Sequence, residues 1–290
     1  MKKFNKILFT YLLLFTFLFP VKVNAKIFNL ANNTLSISDK DISISLEGKD
    51  KCEYPKNFRI IEGLNMSGSA QFTPSQLLHI KDKINSTNLY VVDLRQESHG
   101  FINNKAINFY TKNKKKHGVI NKDLSSEQTL SAEKKLLETI KPNSDLTIYK
   151  KSGKVDEVLK VETVLSEQEL TKKHNIKYKR LAIRDGHTPE LATIDEFVEF
   201  IKTLPKDAHL HFHCKHGKGR TTSFMALFQM MNNKENLSIA DILNQQLDEG
   251  GIDLKEKTSR KELLEQFYKY VKENKTNNYT TPFSKWVKST

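Results

Sequence analysis

Cysteine is scarce in this chain: Cys52 and Cys214 are the only two among 290 residues. Two thiols make no disulfide framework, which excludes a small stapled scaffold. Long apolar runs are missing as well. The longest, Ile7 to Phe19, has 13 residues, short of the ~20 that a helix needs to cross a bilayer. Acidic residues are in deficit, with 34 Asp and Glu against 47 Lys and Arg and a formal charge of +13. That balance favours anionic partners. Nucleic acid finds no support, because aromatic-basic repeats and helix-turn-helix patterns are absent. A densely phosphorylated small molecule and a plain solvated lysine surface both stay open. Two common phosphate-binding patterns are excluded too. A dinucleotide fingerprint fails at Thr222, and no Gly-Lys-Ser/Thr closes a Walker loop.

The N-terminus carries a recognisable signal. Lys2, Lys3 and Lys6 precede the apolar run, Pro20 ends it, and Val23-Asn24-Ala25 supplies small residues for cleavage. The pattern predicts an export signal over 1–25, cleaved after Ala25, and a secreted or extracytoplasmic protein without a stable membrane anchor; a retained signal anchor is the alternative. Cleavage also removes Lys22, so the roughly 265 residues that remain carry +9 and suffice for one sizeable domain. Residues 26–53 alternate weakly (Leu35, Ile37; Ile42, Ile44, Leu46), as an edge strand or a flexible leader would. The main domain is expected over 54–290. Nothing in the chain sets an oligomeric state.

The most informative stretch is 209–221, His-Leu-His-Phe-His-Cys-Lys-His-Gly-Lys-Gly-Arg-Thr. Alternation of His209, His211 and His213 with Leu210 and Phe212 predicts a strand. Phe224, Met225, Leu227, Phe228 and Met231 predict a buried helix after it. Between them Cys214, Lys215, His216, Gly217, Lys218, Gly219 and Arg220 form Cys-x5-Arg at a strand-to-helix junction. A tight loop there turns backbone N–H groups inward and ends on the positive end of a helix dipole, which makes an anion cradle. Gly217 and Gly219 permit positive φ and close approach of a phosphate. A thiol beside a helix N-terminus and cations ionises below its usual ~8.5, so Cys214 can be a nucleophile. Arg220 can hold two phosphate oxygens at once, and the Thr221 hydroxyl can bond the departing sulfur. Two other readings stand beside this one. His209, His211, His213 and His216 could bind a metal, and Cys214 could pair with Cys52.

Around this loop the chain reads as alternating helices and strands, an α/β pattern. Thr73-Pro74-Ser75-Gln76 is a capping box that opens a helix to about Ile84. Tyr90 to Leu94 reads as a buried strand ending on Asp93, Arg95, Gln96, Glu97, Ser98 and His99, a polar cluster of the sort found at the ligand edge of a parallel sheet. Asp93 is therefore a candidate substrate contact. Lys112 and Lys114 to Lys116 form a charge run, Ser125 to Ile140 a helix, and Leu146 to Tyr149 and Val158 to Val164 strands. Ser166-x-x-Glu169 caps a helix, Lys177 to Ile183 is a strand, Thr193-x-x-Glu196 caps another helix, and Ser259 to Glu273 is a last amphipathic helix.

His-Cys-x5-Arg-Thr resembles the signature of the cysteine-dependent phosphatases. Asp93-Leu-Arg-Gln-Glu-Ser-His-Gly100, Asn57-Phe58-Arg59, Ser67-Gly68-Ser69, Leu204-Pro205-Lys206-Asp207-Ala208, Gly250-Gly251 and Tyr279-Thr280-Thr281-Pro282-Phe283-Ser284 narrow it. Together they resemble the protein-tyrosine-phosphatase-like inositol phosphatases, or cysteine phytases, over about Tyr54 to Thr290 and most weakly over 111–162. The resemblance implies a cysteine-phosphatase core, a central sheet flanked by helices, with a small partial β-barrel inserted at about 100–165. It implies a general acid on a loop reading Asp-His-x-x-Pro. Asp185 and Pro189 fit that loop, but Gly186 stands in the histidine's place and His187 follows; an Asp-Gly surface turn is the alternative. It also implies substrate contacts from Arg59, Lys255 and Lys257, while Lys215, His216, Lys218 and His187 qualify by position.

The expected chemistry is hydrolysis of inositol polyphosphates through a cysteinyl-phosphate. Cys214 is the nucleophile and Asp185 the acid, and no metal or other cofactor is needed. A protein-tyrosine phosphatase and a non-catalytic polyanion-binding module are the alternatives.

Overall fold

A computed structural model of the protein describes residues 42–48, 52–111, 120–150 and 152–289. The export signal, Leu35 and Ile37, and the lysine run at 112 and 114–116 lie outside them. The described chain runs β1 (Ile42–Glu47), β2 (Arg59–Ile61), β3 (Met66–Ser69), α1 (Pro74–Ile84), β4 (Leu89–Asp93), β5 (His99–Ile102), β6 (Lys105–Thr111), α2 (Ser126–Glu138), β7 (Asp145–Tyr149), β8 (Val155–Lys160), β9 (Val164–Leu165), α3 (Glu167–Lys173), β10 (Lys177–Arg180), α4 (Leu191–Lys202), β11 (His209–His213), α5 (Gly219–Met231), α6 (Ile239–Asp248), α7 (Thr258–Asn274) and α8 (Phe283–Ser289).

The main sheet has the order β10-β4-β11-β3-β2. β10, β4, β11 and β3 are parallel, and β2 closes one edge antiparallel. Parallel strands end on the same side, so the loops after β4, β10 and β11 gather along one edge. Those are the segments that carry Glu97, Asp185 and Cys214.

Alternation in β11 sorts its side chains between two different environments. Leu210 and Phe212 enter the larger core with Phe197 of α4, Phe224 and Leu227 of α5, Ile242 of α6, Leu264 and Phe267 of α7 and Phe283 of α8. The histidines face the other side, toward Phe72: the ring centroids of His211 and His213 lie 6.2 and 5.0 Å from it. Phe72 belongs to a smaller core with Leu77 and Ile80 of α1 and Leu170 of α3. Because α5 lies between β11 and the outer helices, residues 220–231 are buried all round.

Most boundaries match the sequence pattern. The capping boxes expected at Thr73 and Ser166 form, and the structure adds one at Ser125. The box expected at Thr193 does not. α4 starts earlier, at Leu191 with Glu190 as N-cap, because Glu196 is drawn away to Ser126 Oγ (2.8 Å) and Lys179 Nζ (2.7 Å). β10 is also shorter than expected, stopping at Arg180.

The inserted part is a four-stranded sheet, β1-β6-β5-β9, with the β7–β8 hairpin beside it. No closed barrel forms among the described residues. β1 pairs antiparallel with β6, Glu47 opposite Ala106. Of the two readings of this segment, residues 42–47 take the edge strand, at the border of the insertion's sheet.

α5 approaches β3 closely at Gly68. A Cβ there would lie 2.5 Å from Met225 Sδ and 2.8 Å from Thr221 Cγ2. Gly68→Ala should therefore lower the free energy of unfolding by ~1–3 kcal/mol, the usual range for overpacking. The check is a lower denaturant midpoint at unchanged m-value; a midpoint equal to the parent's would mean that α5 adjusts without strain.

Candidate active site

The loop between β11 and α5 owes its shape to groups that hold its carbonyls outward. Lys215 O accepts from Gln71 N (3.4 Å), His216 O from Asn57 Nδ2 (2.7 Å) and Gly217 O from Arg59 Nη1 (3.0 Å). With those carbonyls turned away, amides face the thiol, and the backbone N–H groups of His216 and Thr221 bond Cys214. Gly217 has φ +66°, and a Cβ on it would lie 2.4 Å from Ala70 N, so glycine is required there. Gly219 serves differently. It is outside the left-handed region, and its missing side chain leaves room for Arg260, whose Nη2 would lie 2.7 Å from an added Cβ.

Cys214 is 3% exposed. Burial alone would raise its thiol pKa, but the Arg220 charge, the Thr221 hydroxyl (3.2 Å from Sγ) and the two amides outweigh burial and hold it below the ordinary thiol value. Arg220 is fixed by Glu97, which accepts from both Nη1 (2.8 Å) and Nη2 (2.9 Å). Nη1 also donates to Ile183 O and Leu94 O, and Nη2 lies 3.1 Å from Asp185 Oδ1. Burial would raise the Glu97 carboxyl, yet Arg220 and Arg95 keep it ionised far below the usual range. The expected nucleophile, arginine, hydroxyl and acid thus meet at one place. Glu97 is an addition to them. It stood in the polar cluster after β4, but nothing in its spacing paired it with Arg220.

Three expected substrate contacts lie elsewhere. Arg59 is 7% exposed; besides Gly217 O it donates to Asn57 O and Thr222 Oγ1, so it braces the loop from behind. Asp93 is fully buried. Its carboxylate accepts from Arg180 Nη1 (2.5 Å), Tyr178 Oη (2.8 Å) and the Arg95 amide (2.9 Å), a foundation role. Lys255 is exposed between α6 and α7, with its ammonium on Asn244 Oδ1 (3.1 Å), and the structure does not bring it to the loop.

The other cations divide. Lys215 is 14% exposed and ion-paired with Glu47 of β1. Lys218 is exposed at the start of α5. Lys257 donates to Gly186 O, and His187 Nδ1 lies 2.9 Å from Asp185 O, so both attach to the Asp185 turn, where Gly186 has φ +74°. A cavity of about 170 Å³ opens beside the loop, lined by Gln96, Glu97, Phe109, Tyr110, Ile120, Arg184, Asp185, Lys215 and His216 among others.

Beneath the loop sits a layer of buried polar groups. His209 Nε2 and His211 Nδ1 both reach Ser67 Oγ, and His211 Nε2 reaches Ser69 Oγ. His213 Nε2 lies 2.6 Å from Glu167 Oε1, and Glu167 Oε2 meets His99 Nε2 (3.2 Å) and Gln71 Nε2 (2.9 Å). The histidines of β11 are therefore engaged by serines and a carboxylate rather than turned to a common point. Asp93, Glu167 and His213 do bring ligand atoms within 4.8 Å of one another, but Arg180 and His99 already balance those carboxylates. Cys52 and Cys214 are both free thiols, one exposed and one buried.

This geometry has known counterparts. The PTP-like phytase family model, described as "Inositol hexakisphosphate", matches residues 92–232. A PTP-like myo-inositol phosphatase from Mitsuokella multacida, solved in complex with myo-inositol-(1,3,4,5)-tetrakisphosphate, is 30% identical over 84% of this chain, with a TM-score of 0.74. A PTP-like phytase from Bdellovibrio bacteriovorus is 29% identical, with 85% of this chain and 94% of that one covered and a TM-score of 0.71. The effector protein hopD2 of Pseudomonas syringae pv. tomato is 28% identical over 192 residues, 63% of this chain. The chain spans about half the length of the first two relatives it matches by structure and sequence, 48% of the Mitsuokella protein and 40% of hopD2. Its fold and its Cys-x5-Arg loop match those of the PTP-like phytases.

The buried layer makes stability depend on pH. Burial would raise the Glu167 carboxyl, but His213 outweighs it and holds the pKa down to about 2. Its contribution is therefore present above about pH 4.5 and lost as pH falls toward about 2. Burial and Arg95 would lower the His99 imidazole, but Asp93 and Glu133 push it up to about 10. That contribution is complete below about pH 6.5 and lost as pH rises toward about 10. Glu167→Gln should cost ~3–5 kcal/mol near neutral pH, the usual loss when one partner of a buried pair is removed. In chemical denaturation the deficit should narrow below about pH 4.5; a deficit independent of pH would assign Glu167 to packing alone.

Proposed function

We propose that the protein is an exported phosphomonoesterase that hydrolyses inositol polyphosphates through a cysteinyl-phosphate. The observation that carries this reading is the buried Cys214 thiol, its pKa held down at the floor of a cradle of amides whose arginine Glu97 fixes. The thiolate attacks phosphorus in line and forms the S–P bond as the ester P–O bond breaks. Arg220 and the loop amides stabilise the equatorial oxygens. Asp185, the only carboxylic acid on the turn beside Arg220, protonates the leaving alkoxide. Water then attacks phosphorus with Asp185 as base, which releases phosphate and restores the thiolate. The leaving sulfur accepts from Thr221.

The inositol assignment is supported by the family and by the ligand of the Mitsuokella relative. It is also supported by Lys218, Lys257, Arg260 and Arg184 around the loop and the Asp185 turn. Export rests on the sequence pattern of residues 1–25. The apolar wall of Phe109, Tyr110 and Ile120 favours a second reading, a protein-tyrosine phosphatase, because an aromatic ester would fit there. Comparing turnover of inositol hexakisphosphate with that of a phosphotyrosine peptide separates the two.

Cys214→Ser should abolish turnover while phosphate-ester binding persists, since the hydroxyl has no base beside it. Activity within about tenfold of the parent's would overturn the covalent route. Excess EDTA should leave the parent active; a loss that zinc reverses would revive the metal reading. Asp185→Asn should lower kcat on an alkyl phosphate ~10²–10⁴-fold. It should lower kcat less on p-nitrophenyl phosphate, whose leaving group needs no proton. Equal losses on both esters would assign Asp185 a structural role.

A further inference from the structure

Glu47 occupies a position that the reaction does not call for. It ends β1, where its backbone pairs with Ala106 of β6, and its side chain is 6% exposed. One oxygen accepts from Arg95 Nη1 at 2.6 Å, and the other pairs with the ammonium of Lys215, the residue next to the nucleophile. Arg95 cannot follow a moving carboxylate. It is fully buried and also bonds Gln71 Oε1 (2.6 Å), Asn108 Oδ1 (2.9 Å) and Glu97 Oε1 (3.2 Å). Glu47 is thereby held from the backbone and from one oxygen, and it holds Lys215 in turn.

The consequence falls on the cavity beside the loop. Lys215 and Arg184 are the Lys and Arg residues among its described lining, and it also contains the carboxylates of Glu97 and Asp185. With the Lys215 charge balanced by Glu47, the described part of the lining offers little net attraction to an anion. It offers instead the apolar surfaces of Phe109, Tyr110 and Ile120. We propose that Glu47 is a specificity-determining residue: by masking Lys215, it makes the cavity accept an unphosphorylated edge of the inositol ring, hydroxyl and C–H groups, in place of a second phosphate. This rests on the inositol-phosphate reading of the site. It narrows the substrate class to incompletely phosphorylated inositols, presented with the bare edge toward β6.

The test uses affinities, so it stands apart from turnover. Titration calorimetry on the full chain compares inositol hexakisphosphate with inorganic phosphate, which fills the cradle alone. Glu47→Gln should unmask Lys215 and raise the ratio of hexakisphosphate to phosphate affinity by about fivefold, the scale of one added cation contact. Adding Lys215→Gln to that variant should return the ratio to the parent's. A change below about twofold in the single variant, or a gain that survives in the double, overturns the proposal. If Glu47→Gln does not fold, Lys215→Gln decides the matter. A masked lysine predicts a ratio within about twofold of the parent's, and a fivefold fall shows that the ammonium already meets substrate. An inactive parent that still shows this pattern of affinities would refute the phosphatase reading and leave the masking intact.

Discussion

The carbonyls of Lys215, His216 and Gly217 point away from Cys214 because Gln71, Asn57 and Arg59 donate to them, Arg59 from the start of β2 and the other two from the segments that flank β2 and β3. A peptide unit has one direction. Where its oxygen is turned out, its hydrogen is turned in, and a run of such units makes a pocket for negative charge without any charged side chain in it. Gly217 is bound by the same requirement, since its backbone lies too close to Ala70 for any side chain. The position of α5 follows too, because its first turn must arrive where the amides converge. What looks like a glycine-rich motif is one half of a device whose other half lies about 150 residues earlier.

Around the loop, charges alternate in sign: Lys215, Glu47, Arg95, Glu97, Arg220 and Asp185. Below it, Arg180 meets Asp93 and Glu133, and His99 meets Glu167. Taking charges from water is expensive, and well-packed apolar residues would often do as well for stability. The alternation therefore makes better sense as a means of orientation. Each inner group of the row has partners on two sides, and the guanidinium of Arg220 is held at a fixed angle before any anion arrives. Preorganisation of that kind is what an electrostatic cradle requires.

Local chemistry in this chain was legible from sequence, and long-range pairing was not. The loop, its nucleophile and the helix behind it could be read because glycine, thiol and arginine stand at fixed spacing within 13 residues. Asp185 could be placed only through the resemblance to the Asp-His-x-x-Pro loop, of which Asp185 and Pro189 keep the two ends. Arg59 and Asp93 were recognisable as important residues, but the side they face depends on which strands pair: β3 beside β11, and β4 beside β10. Neither residue carries that information in its neighbourhood. Glu167 read as the first turn of a capped helix, which it is, and nothing local said that its carboxylate would end against His213. The Thr193 box failed for the same reason, since Glu196 found better partners far away in the chain.

β1 is an edge strand, and edges open more easily than centres. Amide hydrogens near a sheet border exchange through local fraying at a fraction of the free energy needed to unfold the whole domain. In most proteins such breathing is of no consequence to a distant site. Here the last residue of the strand is Glu47, so an opening that reached it would leave Arg95 buried with one counter-ion fewer and set the Lys215 ammonium loose beside the thiol. The electrostatic character of the loop therefore depends on six residues at the border of another sheet staying paired with β6.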